Sequence, residues 1–356
     1  MRRMRIVLFV IMCALLSAPQ ALAETYSFPS SHAAPVSLRI EGSGDIEAIG
    51  PLIRDFQSLH PQFAITYVDT LTNELNSRIT AACAAGKNLP DVVFSSSVDH
   101  MVKLANDGCA STHVSPETQR LPAHARWRDE VFGFTFEPAV IVYNKRLVAP
   151  ENVPRTRDEL ADLLRNDSLG LDGKVGTYDI AQSGIGYLFA FFDAQESSSF
   201  GRLIEAFGRA HVKLFCCTGE LLEQIEDGRI LIGYNLLGSY AYARLRAGAP
   251  IGIVLPRDYT VVLSRAAFIP AAAANPEGGR AFIDYLLSLR GQQVVLQSSF
   301  FFAQGAPLPD GVDAAGEDNQ SGIARPIPIG PDLLAVSDKQ KRERLLRVWK
   351  ETLGQK

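Results

Sequence analysis

Short apolar segments with β-strand character alternate with amphipathic helical segments along most of this chain. Val36–Ile40 alternates apolar and polar residues with a period of two, and Phe63–Val68 and Asp91–Phe94 are further short apolar runs. Between them, Ile46–Phe56 and Leu75–Cys83 repeat their apolar residues at helical spacing. Strands separated by crossover helices form a parallel sheet with helices on its faces. The order of segments therefore predicts an α/β fold.

Two long extended stretches interrupt this alternation. Gly133–Asn144 contains Pro138, and Gly252–Ser264 contains Pro256. Proline is rare in central strands because it cannot donate to the sheet, so we expect both stretches to be connections that pass between two α/β lobes. The expected fold has two lobes, two extended hinge crossings and a cleft between the lobes. The expected division is residues 24–135 plus 262–303 in the first lobe and residues 136–261 plus 304–356 in the second lobe.

The N-terminus has the form of a secretory signal peptide. Three arginines within the first five residues precede the apolar run Ile6–Leu16, which is followed by Pro19 and the triplet Ala21–Ala23. A basic, an apolar and a small-residue region in this order are typical of a cleaved export signal, and the apolar run is too short to span a bilayer. We expect a signal peptide at residues 1–23, cleavage after Ala23 and a periplasmic mature protein.

Charge and size narrow the classes of function. The chain has 356 residues, with 39 Asp and Glu against 35 Lys and Arg, and the expected signal removes three of the arginines. Nucleic acid is not an expected partner, because phosphate backbones bind to basic surfaces. A chain longer than about 250–300 residues also favours more than one hydrophobic core.

Common motifs of catalysis and metal binding are absent from the sequence. The string nearest to a nucleophile elbow is Gln182–Gly186, which lacks the GxSxG order, and neither a Walker loop nor a GxGxxG turn occurs. The six histidines are scattered, without HExxH spacing, and no CxxC is present. We expect no catalytic residue, no metal and no cofactor. A secreted α/β enzyme and a scaffold protein are the alternatives from other classes.

Four cysteines remain when Cys13 leaves with the signal, namely Cys83, Cys109, Cys216 and Cys217. An oxidising compartment allows three full pairings of four cysteines. We favour a disulfide between Cys83 and Cys109, because both lie in the same early α/β unit and a bridge between adjacent cysteines needs an unusual ring. Four free, partly buried thiols are the alternative.

Three local patterns occur near the ends of predicted strands: Gly42–Asp45, Val142–Lys145 and the Tyr-Asn-x-x-Gly-Ser-Tyr-Ala segment within Gly233–Ala241. With the order of elements over nearly the whole mature chain, they resemble the bacterial extracellular solute-binding proteins of ABC importers. The resemblance is to the type II branch with ferric-iron, hexose-phosphate and phosphoglycerate receptors. It implies a two-lobed periplasmic-binding-protein-like fold that closes around a small ligand without catalysis.

The same resemblance implies partners in the membrane. They are either the membrane subunits of an ABC importer, or a membrane histidine kinase if the protein serves as a sensor. The protein itself is expected to be a monomer.

Small polar residues precede predicted helices at four places, two in each lobe. Free backbone N–H groups and the positive end of the helix dipole point there, and ligands of α/β sheets collect outside the carboxyl ends of the strands. Taken singly, each Ser also suits a helix cap and each Gly a turn. The expected ligand-binding residues are Ser43, Gly44, Ser96, Ser97, Ser183, Gly184, Asn235, Gly238, Ser239, Tyr240 and Arg265, the last as a guanidinium partner for an oxyanion.

The spacing of two tyrosines bears on the ligand. Ferric receptors that this chain resembles bind iron through a neighbouring pair of tyrosines, whereas Tyr240 and Tyr242 are two positions apart and point about 200° from each other on a helix. Neutral Ser and Asn donors also suit a phosphate better than trivalent iron, which prefers anionic oxygen ligands. We expect a small anion, a phosphorylated metabolite of the hexose phosphate or phosphoglycerate type, with ferric iron as the alternative. The acids Asp45, Glu137 and Glu220 are expected near the cleft, as acceptors for hydroxyls or as structural residues.

Overall fold

The computed structural model describes residues 23–167, 169–297, 311–313 and 324–354. The expected signal peptide, apart from Ala23, lies outside the described residues. Within the described ranges, no helix has both the length and the apolar character needed to cross a membrane.

The strands and helices follow one another in the alternating order that the sequence predicts. The strands are β1 Glu24–Phe28, β2 Val36–Gly42, β3 Phe63–Asp69, β4 Val92–Ser95, β5 Ala110–Ser111, β6 Arg126–Trp127, β7 Val131–Gly133, β8 Glu137–Asn144, β9 Val175–Tyr178, β10 Lys213–Phe215, β11 Ile232–Leu237, β12 Ile251–Val254, β13 Thr260–Leu263, β14 Ala266–Pro270, β15 Val312–Asp313 and β16 Ala324–Pro326. The α-helices are α1 Ile46–Leu59, α2 Thr72–Ala85, α3 Val98–Asn106, α4 Pro116–Arg120, α5 Arg157–Asn166, α6 Gly184–Glu196, α7 Phe200–Arg209, α8 Thr218–Glu226, α9 Gly238–Arg246, α10 Pro276–Leu287, α11 Leu289–Gln297, α12 Leu333–Val336 and α13 Lys339–Thr352.

The first sheet has the strand order β1-β3-β2-β4-β14-β7-β6, and β5 pairs with the end of β14. β2 is parallel to β3 and β4, as the crossover helices α1 and α2 require, whereas β14 is antiparallel to both β4 and β7. Leu52, Ile53 and Phe56 of α1 are fully buried. The Phe56 ring meets Phe282 of α10 edge-on, with ring centroids 5.1 Å apart. The apolar face of α1 is therefore part of the core of this lobe.

The second sheet has the strand order β10-β9-β11-β8-β12-β15, and β13 joins it by pairing with β8 and β16. β8 is therefore a central strand. The expectation that Gly133–Asn144 is a connection and not a central strand was wrong for Glu137–Asn144. Pro138 is tolerated because it is the second residue of β8 and pairing with β11 ends at Ala139, which places the missing N–H at the start of the strand.

The chain passes between the two sheets at two short crossings. Phe134–Phe136 joins β7 to β8, and Ser264–Arg265 joins β13 to β14. Both crossings are shorter than the extended stretches from which they were predicted. Because β13 pairs with β8, residues 262 and 263 lie in the second sheet and not in the first lobe as expected. The remaining boundaries of the two lobes stay a prediction.

The C-terminal segment packs against both lobes. α12 contacts α3 of the first lobe, and the hydroxyl of Tyr187 in α6 donates to the carbonyl of Val336 at 3.2 Å. α13 packs against α7, where the ring of Trp349 lies beside Phe200 and Phe207. The end of the chain therefore links the two lobes.

A disulfide joins Cys83 in the last turn of α2 to Cys109, which follows α3. The two Cα atoms are 5.7 Å apart, within the usual range for a disulfide. This is the pairing that the sequence favoured. It ties together two helices of the first lobe.

Candidate ligand-binding cleft

A polar cleft with a volume of about 530 Å³ lies between the two lobes. The residues of the first lobe that line it are Glu24, Ser43, Asp45, Glu47, Asp69, Thr70, Leu71, Thr72 and Ser96. The residues of the second lobe that line it are Ser183, Ile185, Cys216, Cys217, Thr218, Gly219, Glu220, Glu223, Leu237, Tyr240 and Arg244. Arg265 of the second crossing completes the lining.

Many of these residues lie where a strand ends and a helix begins. Asp45 is the N-cap of α1, Leu71 of α2, Ser183 of α6 and Cys217 of α8. With Leu237, the N-cap of α9, five helix N-termini border the cleft, two from the first lobe and three from the second. Backbone N–H groups in a first helical turn lack intrahelical partners, and together with the helix dipole they attract anions. The starts of α1, α6 and α9 were expected here, whereas those of α2 and α8 were not.

The structure brings five of the eleven expected ligand-binding residues into the cleft. These five are Ser43, Ser96, Ser183, Tyr240 and Arg265. The other six are not part of the lining that the structure describes: Gly44, Ser97, Gly184, Asn235, Gly238 and Ser239.

The serines at the helix starts already have partners within the protein. The Ser43 hydroxyl lies 3.1 Å from the Ser95 hydroxyl and accepts the Ser96 N–H at 3.2 Å. The Ser183 hydroxyl accepts the Gly186 N–H at 3.2 Å and so caps α6. The capping role considered for each serine singly is therefore present at Ser183, whereas Ser43 bonds the turn before α3 and caps no helix.

Asn235 lies behind the cleft wall. Its φ of 61° places it in the left-handed region, within an irregular part of β11. Its side-chain amide donates to Asp193 at 2.5 Å. The same carboxylate accepts hydroxyl hydrogens from Tyr234 and Tyr259 and lies 3.0 Å from the guanidinium of Arg157. The buried Asp193 carboxylate therefore fixes Asn235 in a structural position.

Arg265 forms a buried ion pair with Glu137. Its Nε lies 2.7 Å from Oε1 of Glu137, and the two side chains are 1% and 0% exposed. Glu137 also accepts hydroxyl hydrogens from Ser239 at 2.5 Å and Thr135 at 2.9 Å, and Arg265 donates to the Ser43 carbonyl. The positive charge of Arg265 is therefore partly balanced before any ligand arrives, and the pair links β8 to the first lobe.

Carboxylates outnumber cations among the described residues of the cleft. The carboxylates are Glu24, Asp45, Glu47, Asp69, Glu220 and Glu223, against the guanidinium groups of Arg244 and Arg265. Burial, together with repulsion from the neighbouring Asp45, raises the pKa of Asp69 to about 7. Burial also raises the pKa of Asp45. A ligand in this cleft must therefore offer hydrogen-bond donors or positive charge to one part of the site.

Tyr240 joins the two walls directly. Its hydroxyl donates to Oδ1 of Asp45 at 3.1 Å and accepts the Asp45 N–H at 3.3 Å. The ring centroid lies 5.7 Å from the guanidinium carbon of Arg265. Tyr242 is not part of the lining that the structure describes, as expected for a residue two helical positions away.

Further hydrogen bonds join the lobes beside α2. The Asn73 amide donates to the Gln182 carbonyl at 2.7 Å, and the Gly184 N–H donates to the Thr72 hydroxyl at 3.0 Å. Together with the Asp45–Tyr240 contact, these bonds hold the walls of the cleft close to each other.

Thr70 lines the cleft and carries a buried hydroxyl without a partner among the described residues. Its side chain is 7% exposed, and Oγ1 has no hydrogen-bond partner among the described residues. A buried hydroxyl without a partner costs free energy, so a polar ligand group is a fitting partner for it. Thr70 directly follows β3, and the strand-to-helix reasoning that singled out Ser43 would have found it if applied there.

A second disulfide joins the adjacent residues Cys216 and Cys217 on the wall of the cleft. This corrects the expectation that such a bridge is disfavoured. The pair occupies the turn from β10 into α8, a position that the sequence argument did not consider. Glu220 lies in the first turn of α8 and also lines the cleft, as expected; its role as an acceptor for hydroxyls stays a prediction.

A two-lobed α/β chain with short crossings and a polar cleft between its lobes defines a receptor that captures small solutes. The family model described as bacterial extracellular solute-binding protein matches residues 40–301. The chain belongs to this family.

Solved structures agree with this assignment. The substrate-binding protein of an ABC transporter from Agrobacterium tumefaciens is 38% identical, with a TM-score of 0.85 over 94% of this chain and 99% of that one. Iron-bound HitA from Pseudomonas aeruginosa is 18% identical, with a TM-score of 0.69 over 88% and 99% of the two chains. AfuA from Actinobacillus pleuropneumoniae, with fructose-6-phosphate bound, is 16% identical, with a TM-score of 0.69 over 89% and 98%. No curated protein matches the chain.

The protein is thus a solute-binding protein of the ABC-transporter type, and its family implies a small ligand, membrane partners in an importer and a periplasmic location. The two more distant structures share the fold, and their ligands differ from each other. They therefore leave the solute of this cleft to be inferred from its own residues.

Proposed function

We propose that this protein captures a small phosphorylated polyhydroxy metabolite, such as a hexose phosphate or a phosphoglycerate, and delivers it to an ABC importer. The observation that carries this proposal is the mixed chemistry of the cleft. Helix N-termini from both lobes and two arginines suit an anionic group, while carboxylates and a free threonine hydroxyl suit the hydroxyls of the same molecule.

The anionic end of the ligand has its best partners on the second wall. The first turn of α8, at Thr218–Glu220, faces the cleft with backbone N–H groups that no intrahelical carbonyl can reach. Arg244 lies on the same wall and is 40% exposed, with Glu223 and Glu226 at 3.5 and 3.7 Å. An incoming phosphate can replace these weak carboxylate contacts, because guanidinium groups bind oxyanions through paired hydrogen bonds.

The hydroxyl-bearing part of the ligand has its best partners on the first wall. Asp45 and Asp69 are carboxylate acceptors there, and Thr70 supplies an unpaired hydroxyl. A bare oxyanion such as inorganic phosphate would meet repulsion from these carboxylates and leave them without donors. A ligand that carries several hydroxyls satisfies them, which is why we favour a phosphorylated polyol over a simple anion.

Ferric iron is the second candidate, because the cleft also contains oxygen ligands that suit a hard cation. The phenol of Tyr240 and the carboxylate of Asp45 lie 3.1 Å apart, and Asp69 lines the same wall. The position of Tyr242 speaks against an iron site built on two neighbouring tyrosines. An iron site would also leave the helix N-termini of α6 and α8 without a role.

Three further features belong to the same proposal. The signal peptide is cleaved after Ala23, the mature protein acts as a monomer, and the cleft binds its solute without converting it. Presentation of the loaded form to a membrane histidine kinase is the alternative to delivery.

Isothermal titration of the mature protein, freed of bound solute by unfolding and refolding, tests the ligand. The panel contains hexose phosphates, 3-phosphoglycerate, the unphosphorylated sugars, inorganic phosphate and ferric citrate. We expect saturable binding of one phosphorylated polyol and none of its parent sugar. Tight binding of ferric iron with a phenolate colour, or preference for inorganic phosphate, would contradict the proposal, and turnover of the bound solute would contradict its non-catalytic part.

The substitution Thr70→Val tests the cleft itself. It removes the unpaired hydroxyl and keeps the shape of the side chain, so affinity should fall about tenfold for a hydrogen bond of about 1.4 kcal/mol. Thr66→Val on β3, the strand that Thr70 follows, is the matched control: its side chain is half-buried outside the cleft lining, and the variant should bind as the wild type does. Equal affinity of both variants and the wild type would show that the solute does not contact Thr70.

A further inference from the structure

Three metal-ligating side chains cluster on the second wall of the cleft. Cys216, Cys217 and Glu220 each offer a ligand atom, and these atoms all lie within 4.8 Å of one another. Sγ of Cys216 is 3.3 Å from Oε2 of Glu220. In the oxidised protein the two sulfurs are bonded to each other and are not available as thiolate ligands.

We propose that Cys216, Cys217 and Glu220 form a latent site for a thiophilic divalent cation such as Zn²⁺ or Cd²⁺, which opens when the disulfide is reduced. A dithiol reductant supplies the two electrons and two protons: its two S–H groups become a disulfide while the Cys216–Cys217 bond breaks into two thiols. The cation then replaces the two thiol protons, which pass to solvent. Reoxidation by a disulfide reverses the exchange and releases the cation.

The donor set determines the class of cation. Two thiolates and one carboxylate are a ligand combination that Zn²⁺ and its softer relative Cd²⁺ accept, with water in a remaining position. Calcium and magnesium prefer oxygen ligands throughout. The two sulfur ligands therefore select a thiophilic cation over calcium and magnesium. This distinguishes the site from an oxygen-ligated iron site in the same cleft.

The surroundings of the two cysteines give a reductant access to the disulfide and place negative charge near a bound cation. Both cysteines are half-buried and line the cleft, so a reductant can reach them, as exposed disulfides are generally the labile ones. Glu223 lines the same wall. A Cβ placed on Gly219 would lie 3.8 Å from Oδ2 of Asp45, so a carboxylate of the first lobe also faces this turn. Negative side chains on both walls compensate for the charge of a cation.

The position of the cysteine pair distinguishes it from the other disulfide. Cys109 is 3% exposed, and neither Cys83 nor Cys109 belongs to a described group of ligating side chains. After reduction, we therefore expect Cys216 and Cys217 to bind a metal and Cys83 and Cys109 not to bind one. This inference does not depend on which solute the cleft captures.

Cadmium titration of the full mature protein tests the site. The protein is reduced with a dithiol, separated from the reagent without oxygen and titrated with Cd²⁺ alone, and binding is followed by the ultraviolet thiolate-to-cadmium charge-transfer band. Alkylation and mass spectrometry establish that Cys216 and Cys217 are reduced. The double variant Cys216→Ser/Cys217→Ser, treated in the same way, retains Cys83 and Cys109 and is the matched control.

We expect one Cd²⁺ per reduced wild-type chain with a charge-transfer band, and no band from the oxidised protein or the double-serine variant. Glu220→Gln should keep the band and weaken binding about tenfold or more, since one charged ligand is lost. A reduced wild type without the band, or a band of equal strength in the double-serine variant, would overturn the proposal. Unchanged cadmium affinity in Glu220→Gln would remove Glu220 from the site.

Discussion

The hydroxyl of Tyr240 lies 3.1 Å from the carboxylate of Asp45 and 3.3 Å from its backbone N–H, so one phenol from the second lobe makes two hydrogen bonds with the N-cap residue of α1 in the first. The lobes are thereby held together across the cleft. Release of this phenol is a necessary part of opening.

The substitution Tyr240→Phe should therefore shift the solute-free protein towards an open form. Two hydrogen bonds worth about 0.5–1.5 kcal/mol each favour the closed form, and their loss should increase the open fraction at least severalfold. Small-angle X-ray scattering should show a larger radius of gyration than that of the wild type. Tyr242→Phe, on the same helix, should leave the scattering unchanged, and an identical radius for all three proteins would contradict this role of Tyr240.

Loss of the Glu137 carboxylate should be strongly destabilising. In Glu137→Ala the buried guanidinium of Arg265 loses its ion pair and the hydroxyls of Ser239 and Thr135 lose their acceptor, and breaking such a buried pair costs about 3–5 kcal/mol. Urea unfolding should show a much lower midpoint. Glu277→Ala removes a carboxylate that is 79% exposed from its pair with Arg280 and should change the free energy of unfolding by less than about 1 kcal/mol. Similar midpoints for the two variants would show that the buried pair contributes little.

The backbone at Asn235 predicts a difference between two small substitutions. Asn235→Ala and Asn235→Gly both lose the hydrogen bond to Asp193, but only alanine also carries a Cβ in the left-handed region, where glycine is unstrained. Asn235→Ala should be less stable than Asn235→Gly by about 1 kcal/mol, measured by thermal unfolding. A more stable alanine variant would contradict the left-handed conformation at this residue.

The raised pKa of Asp69 predicts a pH dependence of stability. Because its pKa is about 7 in the folded protein and about 3.9 in an unfolded chain, the folded state binds more protons between these values. The contribution of Asp69 to stability is then fully present below about pH 4 and is lost as the pH rises through about 7. Asp69→Asn should flatten this part of the curve of unfolding free energy against pH. An unchanged slope in the variant would assign the effect to other groups.

The two disulfides should differ in their effect on stability. The Cys83–Cys109 bond joins residues 26 positions apart, and closing a loop of this size in the unfolded chain is worth about 3–4 kcal/mol. Cys83→Ser/Cys109→Ser should lower the free energy of unfolding by about this amount. Cys216→Ser/Cys217→Ser should change it little, because adjacent residues close almost no loop. Equal losses in urea unfolding would contradict the loop-entropy account.

The fold was largely predictable because periodicity is a local property. The helical spacing in Ile46–Phe56 and the alternation in Val36–Ile40 correspond to α1 and β2. Pairing partners are not local, and this is why β8 was taken for a connection: the sequence shows Pro138 but not that the pairing with β11 stops at Ala139. The strand β1 was not predicted, since Glu24–Phe28 becomes a strand only through its antiparallel pairing with β3.

Site residues could be predicted where the end of a strand precedes a helix. They could not be predicted where their role depends on a side-chain partner that is distant in sequence. Ser43 and Ser183 were placed in the cleft by that rule, and Thr70 would have been. Asn235 donates a hydrogen bond to Asp193, 42 residues away in sequence. This bond depends on tertiary contacts, which no local sequence pattern predicts. The same holds for Ser239 and Glu137. The sequence shows that Cys216 and Cys217 are adjacent, but their position on the cleft wall could not be predicted from it.

The strand β14 lies between β4 and β7 in the first sheet, although more than a hundred residues of the second lobe separate β7 from β14 in the chain. While the protein is being synthesised, the first lobe cannot complete its sheet until Ala266–Pro270 has been made. A ribosome-bound fragment that ends before Ala266 therefore has an unpaired β4 edge at the centre of the lobe. The order of synthesis therefore delays completion of the N-terminal lobe until most of the polypeptide exists.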